Sequence, residues 1–353
     1  MVEGASNLFR LEPGSVAPPF VAALRSGALL ARVDAAVLTL AGPGAVTCVQ
    51  GLLTNDIEQP GDGAFVYGAL LTPKGMIVVD GWAGRLGTTV SYTVPAEGRE
   101  RALGIFTHSV PPRLARVSDR TPDVAVYRLA GPRALAIAAT AGLDVPPTPG
   151  RVLEGAPPTP GPPGVQIARG GDAAPFVVQL TAPPPEAAAL AVRLVAAGAV
   201  EADPVALELA RILAGWPRLG AEVDEKTIPQ EVRYDEIGGV SYTKGCYTGQ
   251  ETVARLHFRG HTNRQLRGLL FDVEPPAAPA DGWSAVTHLD RDVGRVTSVA
   301  WVPEPGAAVS GGGRWVGLAV IRGEVTPGAM VRAAGRDARV VDLPFVLPAV
   351  GPA

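Results

Sequence analysis

Residues 244–251, K-G-C-Y-T-G-Q-E, form the densest group of reactive side chains in the sequence, and we call them the octet. The octet holds a lysine, a thiol, an amide and a carboxylate, and Arg255 and Arg259 follow it. Gly245 and Gly249 leave room for a ligand to approach the backbone closely. This composition is poor material for a hydrophobic core and favours a binding or catalytic site.

Cys246 is the first candidate for chemistry within the octet. A cysteine reacts as its thiolate, and Lys244, Arg255 and Arg259 favour the thiolate if they converge on the sulfur. The alternative is a structural role, because a free cysteine is among the residues most often buried. The crowd of polar neighbours favours a functional thiol, although no histidine and asparagine pattern of a cysteine hydrolase accompanies it.

Two further side chains are candidates outside the octet. Asp56 follows Asn55 in a Thr-Asn-Asp segment after an apolar helical pattern, where such residues commonly only turn the chain. Arg211 lies in a helical pattern that is apolar on most sides, so its guanidinium needs a carboxylate, an anionic ligand or water as its partner. From the residues alone, a structural role for Asp56 remains the simpler interpretation.

Composition excludes several classes of protein. The net charge of -3 argues against a general nucleic-acid binder, which needs a basic surface to displace counterions. No apolar run is long enough for a transmembrane helix, and residues 1–7 lack the features of a signal peptide, so a cytoplasmic protein is expected. The two cysteines allow neither a disulfide framework nor a metal site with ligand spacing, so no metal is predicted.

The elements that would position these residues alternate between strands and helices. Residues 33–40 predict a strand, a Gly-Pro turn and then a helix over 45–53. Residues 64–71, 76–80 and 88–94 predict an antiparallel meander whose first turn contains Lys74, and residues 97–106 predict a helix. Two more helices are expected, one over 185–197 and one from Pro204 to Ala214.

The later part of the sequence contains a proline-rich segment and a series of short strand patterns. Residues 146–163 hold eight prolines and predict an exposed connector or long surface loop. After the octet, strand patterns at 265–273, 293–302, 315–321 and 330–341 alternate with Pro and Gly turns, which predicts a small terminal β-barrel.

A weak internal repeat links two of the strand and helix units. Residues 37–46 and 126–135 share the pattern V-x-x-L-A-G-P-x-A followed by an aliphatic residue. The alternative is coincidence, because Gly-Pro is a common turn dipeptide in a chain with 43 glycines and 35 prolines.

Several segments together resemble the YgfZ family of folate-binding proteins, which is related to the T protein (aminomethyltransferase) of the glycine cleavage system. The octet resembles the K-G-C-[YF]-x-G-Q-E signature of that family. The other similar segments, which extend the resemblance over most of the chain, are 50–56, 71–77, 211–217 and 292–298. Two departures stand out, because Leu213 replaces a glutamate and the T-G-E-x-G-[FY] segment of the transferase has no counterpart near residues 166–178.

The resemblance implies an α+β protein, a three-domain GcvT-like ring with two α+β domains and a C-terminal β-barrel. The expected domains are an N-terminal α+β folate-binding region over 1–125, a second α+β region over 126–264 that ends in the octet, and the β-barrel over 265–353. Residues near 55–110 are a candidate inserted domain within the first region.

The resemblance also implies a function, namely tetrahydrofolate binding in an accessory protein that assembles or repairs iron-sulfur clusters in client enzymes. The alternative is a folate-dependent aminomethyl or methyl transferase. The partners expected are folate and iron-sulfur client proteins or assembly factors, without nucleic acid or membrane. Two sets of site residues follow: Cys246, Lys244 and Asp56 for catalysis, and Asp56, Asn55, Arg211, Gly245, Gln250, Glu251 and Arg255 for the cofactor, with Asp56 and Cys246 expected on facing walls of one folate channel.

Overall fold

A computed structural model describes residues 8–155, 164–260, 262–276, 284–304 and 312–345. The α-helices are α1 (Pro18–Ser26), α2 (Ala45–Gln50), α3 (Arg99–Ser109), α4 (Ala134–Thr140), α5 (Pro184–Ala196), α6 (Val205–Ala214) and α7 (Gln250–Arg259). The first nine strands are β1 (Phe9–Leu11), β2 (Leu29–Val33), β3 (Ala35–Ala41), β4 (Phe65–Leu71), β5 (Ile77–Leu86), β6 (Thr89–Pro95), β7 (Arg116–Asp119), β8 (Ala125–Ala130) and β9 (Arg151–Gly155). The later strands are β10 (Val165–Arg169), β11 (Val178–Ala182), β12 (Val200–Glu201), β13 (Arg264–Phe271), β14 (Ser284–His288), β15 (Arg291–Pro303), β16 (Gly313–Arg322), β17 (Met330–Ala333) and β18 (Arg336–Val341).

The strands form three sheets. One has six strands in the order β12-β2-β8-β11-β10-β9, and a second has five in the order β4-β5-β6-β3-β7. The third runs β15-β14-β17-β18-β13-β16 and closes on itself because β15 also pairs with β16, while β1 adds to it in parallel. The predicted α+β class with a C-terminal barrel is confirmed.

The path of the chain interleaves the first two sheets. Strand β2 pairs with β8, and the whole five-stranded sheet of β3 to β7 lies between them in the sequence. The domain bounds expected from the sequence stay predictions. No helix among the described residues is both long and apolar enough to cross a membrane.

The internal repeat is confirmed as a structural unit. Strand β3 leads through Gly42 into α2, and β8 leads through Gly131 into α4. Both glycines have positive φ, and a Cβ atom at either would lie within 2.7 Å of a backbone carbonyl oxygen, that of Leu114 or Gly27. A cation caps the end of the second unit: the Arg193 guanidinium of α5 donates to the carbonyls of Ala141 and Gly142 just after α4.

One prediction of local structure was wrong in part. Residues 151–155, expected within an exposed connector, form β9 at the edge of the six-stranded sheet, and Val152 is buried. An edge strand tolerates flanking prolines because only one side of it needs backbone partners. The rest of that expected connector, 156–163, lies outside the described residues.

The largest hydrophobic core lies against the five-stranded sheet and extends to the octet. Leu38, Tyr92 and Phe106 are fully buried there, and Tyr247 and Val253 join the same cluster. The predicted meander of β4, β5 and β6 is confirmed. The segment that carries the candidate thiol is therefore packed onto the first repeat unit.

Candidate functional site

The octet is a turn that leads into α7. Gly249 precedes the helix with a φ of 82°, and the Gln250 side chain accepts a hydrogen bond from the backbone N–H of Tyr247 at 3.3 Å. The ring of Tyr247 is buried, whereas Cys246 and Gly245 are exposed. This geometry presents the thiol at the protein surface.

Lys244 points its ammonium group into the protein. Its Nζ donates to three carbonyl oxygens, those of Gln50 at 2.7 Å, Leu53 at 2.6 Å and Asn55 at 2.8 Å. Burial lowers the pKa of Lys244 to about 8, while Asp56 and Glu58 oppose this effect. All three N–H groups are used on carbonyls, so Lys244 has none left to donate to Cys246.

Asp56 and Asn55 shape the loop that Lys244 caps. The Oδ1 atom of Asp56 accepts from the Gln50 amide at 3.0 Å and from the backbone N–H groups of Glu58 and Gln59, both at 2.9 Å. The Asn55 amide donates to two backbone carbonyls, one of them that of Gly238 at 2.7 Å. These contacts account for both side chains as organisers of the loop.

Three sequence segments that are distant in the chain meet at the octet. A Cβ atom at Gly249 would lie 2.6 Å from the Thr72 carbonyl oxygen, and one at Gly75 would lie 2.8 Å from Thr252. The backbone of Thr248 also donates to the Gly51 carbonyl at 3.0 Å. Glycine at positions 75 and 249 therefore lets the β4-β5 turn, the Asp56 loop and the octet pack backbone to backbone.

A cavity of about 330 Å³ lies where the six-stranded and five-stranded sheets meet α6. Its aromatic walls contain a stacked pair, Trp82 and Trp216, with Phe176 and Tyr67 packed against Trp82. Its polar lining residues are Asp34, Asp80, Thr93, Glu97, Arg128, Glu208, Arg211 and Arg218. Apolar walls with a few polar groups are typical of a small-molecule site.

Asp80 is the buried carboxyl group of the cavity. Its Oδ2 atom accepts hydrogen bonds from the hydroxyls of Tyr67 and Tyr234. Burial raises the pKa of Asp80, and the two tyrosine hydrogen bonds oppose that rise. A carboxyl group in such surroundings is a candidate for ligand recognition or proton exchange.

Two arginines at the cavity differ in their partners. Arg211 uses four of its five N–H groups within the protein, because it donates to Glu208, Glu222, the Trp216 carbonyl and the Ser298 hydroxyl. Arg128 lies 4.4 Å over the Phe176 ring, and desolvation lowers its pKa to about 10. Its Nε atom donates to the Gln179 side chain at 3.0 Å, the charge of Glu208 opposes the fall in its pKa, and within the described ranges no salt bridge to Arg128 occurs, so an anionic ligand can add a partner.

The predicted site residues fall into two places. Arg211 lines the cavity, whereas Asp56 and Cys246 are not among its lining residues, so their place on a shared ligand channel stays a prediction. Asp80 is a carboxyl group that lines the cavity. The Asp56 carboxylate instead accepts hydrogen bonds from residues of its own loop. An acidic residue ending the apolar run 76–79 was the sequence signal for Asp80.

The remaining predicted residues lie on or near α7. Glu251 and Arg255 are exposed and Gln250 is half-buried. No group of three or more potential metal ligands occurs in the described part of the chain. The binding roles of these residues stay predictions.

Comparisons with known proteins agree with this architecture. The model of the GCVT N-terminal domain matches residues 22–237. An aminomethyltransferase of Rubrobacter xylanophilus is 30% identical over 320 residues, covering 86% of this chain and 79% of the relative. The tRNA-modifying protein YgfZ of Vibrio vulnificus is 37% identical over 133 residues, covering 37% of this chain and 38% of the relative. The crystal structure of glycine cleavage system aminomethyltransferase T from Bartonella henselae has a TM-score of 0.72 at 20% identity and covers 93% of this chain and 89% of that one.

Proposed function

Since the chain belongs to the GCVT N-terminal domain family as a YgfZ-type protein, we propose that it binds tetrahydrofolate in the central cavity and acts as an accessory protein for iron-sulfur clusters. Its clients would be enzymes whose clusters need assembly or repair, and its site of action the cytoplasm. Cys246 is the functional thiol in this proposal.

The lining of the cavity carries the folate part of the proposal. A reduced folate has a flat pterin with hydrogen-bond donors and a tail that ends in carboxylates. The aromatic wall of the cavity, which includes Trp82 and Trp216, offers an apolar surface for the pterin, Asp80 offers an acceptor for its N–H groups, and Arg128 offers a cation for the tail. The residues present therefore fit a folate. When bound, tetrahydrofolate would supply a carrier for one-carbon units.

Thermal unfolding with folinate, a stable reduced folate, tests this binding. A ligand that binds only the native state raises the melting temperature. At a ligand concentration of a hundred times Kd, the free energy of unfolding increases by about 2.7 kcal/mol. We expect a rise in the wild type and a smaller rise in Arg128→Met. No rise in the wild type with any folate would refute the folate site.

The exposure of Cys246 supports the iron-sulfur part of the proposal. One thiol cannot hold a cluster of the usual four-cysteine kind, so a transient contact with a client is the proposed mode. The YgfZ relatives are named tRNA-modifying proteins, so iron-sulfur enzymes that modify tRNA are the first clients to assay.

The thiol is tested in cells that carry Cys246→Ala. We expect reduced activity of radical-type iron-sulfur enzymes, while the stability of the purified variant stays unchanged because the side chain is exposed. Cys48→Ala is the matched control, since Cys48 is a half-buried thiol on α2 and not part of the octet turn. Full client activity in Cys246→Ala would remove the thiol from the proposal.

A folate-dependent transferase remains the second candidate. The similarity to an aminomethyltransferase over 86% of the chain and the cavity carboxyl of Asp80 favour it. Turnover of an aminomethyl or methyl donor with tetrahydrofolate would establish it. Loss of turnover in Asp80→Asn but not in Asp56→Asn would assign the reaction to the cavity.

A further inference from the structure

Asp80 is held by two phenols that arrive from different parts of the chain. Tyr67 of β4 and Tyr234, ten residues before the octet, both donate to the same carboxylate oxygen, Oδ2, with the second bond at 3.1 Å. The two hydroxyl oxygens lie 3.3 Å apart. Each phenol has one O–H group, and both O–H groups donate to Asp80. The two hydroxyl oxygens are therefore close together because they share one acceptor.

Besides the two phenols, the Asp80 carboxyl has a hydrogen bond from its own backbone N–H, and it keeps acceptor capacity for a ligand. Within the described ranges no side chain donates to Oδ1, and Asp80 lines the cavity. An ionised carboxylate accepts hydrogen bonds at both oxygens. A donor in the cavity can therefore meet Oδ1 while the tyrosines keep Oδ2.

We propose that Tyr67 and Tyr234 are positioning residues that fix the Asp80 carboxylate so that Oδ1 accepts a hydrogen bond from a ring N–H or amino group of the bound ligand. This inference rests on the proposed folate site and deepens it. The ligand class is a nitrogen heterocycle that donates hydrogen bonds, such as a reduced pterin. Neither tyrosine belongs to the motifs that identified the family.

Four titratable groups face Asp80, namely Tyr67, Tyr92, Tyr234 and Glu97. Burial raises the pKa of each of the three tyrosines well above 10, so they remain proton donors at any working pH. Burial also raises the pKa of Asp80, the hydrogen bonds of Tyr67 and Tyr234 lower it, and the charge of Glu97 adds to the rise.

This arrangement predicts how ligand binding depends on pH. The ionised carboxylate is the form that accepts from the ligand, so affinity is present above the pKa of Asp80 and is lost as pH falls through it. Removal of one phenol hydroxyl destabilises the carboxylate and raises that pKa. Binding by the variant must then fail at a higher pH than binding by the wild type.

The test is calorimetric titration of Tyr67→Phe and Tyr234→Phe with folinate from about pH 5 to about pH 8. We expect the midpoint of the pH dependence to move upward in each variant, with Kd about tenfold weaker than wild type at the acid end and nearly unchanged at the alkaline end. Asp80→Asn should weaken binding across the whole range.

Tyr92→Phe is the matched control. Tyr92 is fully buried beside Asp80, but its hydroxyl donates to the Gly68 carbonyl at 3.0 Å. Its loss should lower stability without moving the midpoint. A midpoint that stays at the wild-type pH in both Tyr67→Phe and Tyr234→Phe would overturn the inference, whereas absence of folinate binding in the wild type would overturn the folate proposal itself.

Discussion

Lys244 and Cys246 lie two residues apart in opposite surroundings. The ammonium group of Lys244 is buried against three backbone carbonyls, while the thiol of Cys246 is exposed. The lysine therefore anchors the octet to the Asp56 loop, and the cysteine is the side chain that the octet exposes to solvent. The sequence placed both in one candidate site, but it could not distinguish the anchor from the presented group.

Replacement of the anchor should destabilise the fold. Lys244→Met removes three charge-assisted hydrogen bonds and leaves buried carbonyls without a donor, so we expect the free energy of unfolding to fall by about 3 kcal/mol in urea denaturation. Lys74→Met, at an exposed turn, should change it by less than about 0.5 kcal/mol. Equal stability of the two variants would contradict an anchoring role.

The stability that Lys244 contributes should depend on pH. Its pKa is about 8 in the folded protein and 10.5 as the ordinary value, so between these the unfolded state binds more protons. Burial therefore costs stability while Lys244 is an ammonium group, fully so below a pH of about 8, and this cost is relieved as the pH rises towards 10.5. Between about pH 7.5 and about pH 9.5, wild type should gain about 2 kcal/mol relative to Lys244→Met. If the stability difference between wild type and Lys244→Met instead shrinks as the pH rises, the hydrogen bonds to the carbonyls stabilise the ammonium by more than burial destabilises it.

Sequence alone located part of the site at the scale of single residues. The octet was found because reactive side chains cluster there within a short span. Asp80 was missed because its partners, Tyr67 and Tyr234, lie 13 and 154 residues away in sequence, so no local pattern reports the burial that distinguishes it.

At the scale of elements, the octet is fixed by contacts between backbones. Gly249 has a positive φ and faces the Thr72 carbonyl, and Gly75 faces Thr252 in return. These two positions, each without a side chain, let α7 begin against the β4-β5 turn. The helix start, and with it the orientation of the thiol, depends on this close approach.

The two glycines of the octet should respond differently to substitution. Gly249→Ala places a Cβ atom 2.6 Å from a carbonyl oxygen at a φ of +82°, so we expect a loss of at least about 2 kcal/mol by urea denaturation. A Cβ atom at Gly245 meets nothing within 4 Å, so Gly245→Ala should be neutral within about 0.5 kcal/mol. If Gly249→Ala is also neutral, the packing described for the turn is incorrect.

Local patterns predicted most elements and failed where long-range pairing decides. The meander, the two Gly-Pro units and the barrel strands were readable because apolar alternation and turn residues are local signals. Strand β9 was missed because its surroundings are rich in proline, and it becomes a strand only through pairing with β10. The interleaving of the six-stranded and five-stranded sheets along the chain likewise has no local signal.

At the scale of the whole molecule, one buried cluster joins α6 to the barrel. Glu222 is fully buried and accepts from Arg211 at 3.0 Å, from the backbone of Arg218 at 3.0 Å and from the Ser298 hydroxyl of β15 at 2.6 Å. The ion pair therefore links the wall of the cavity to the C-terminal sheet.

Removing only one partner of the Arg211–Glu222 ion pair should destabilise the protein more than the pair itself stabilises it. Arg211→Leu leaves the Glu222 charge buried and unpaired, so we expect a loss of about 3–5 kcal/mol in chemical denaturation. The double variant Arg211→Leu with Glu222→Leu should be less destabilised than the sum of the two single variants. Additive losses would mean that the two side chains act independently.

The strand, Gly-Pro turn and helix unit occurs twice in the chain, as β3 with α2 and as β8 with α4. Each unit closes its helix end with a cation from elsewhere in the chain, Lys244 for α2 and Arg193 for α4. The cation of the first unit sits beside a solvent-facing thiol, so equivalent substitutions in the two units need not be equivalent for the organism.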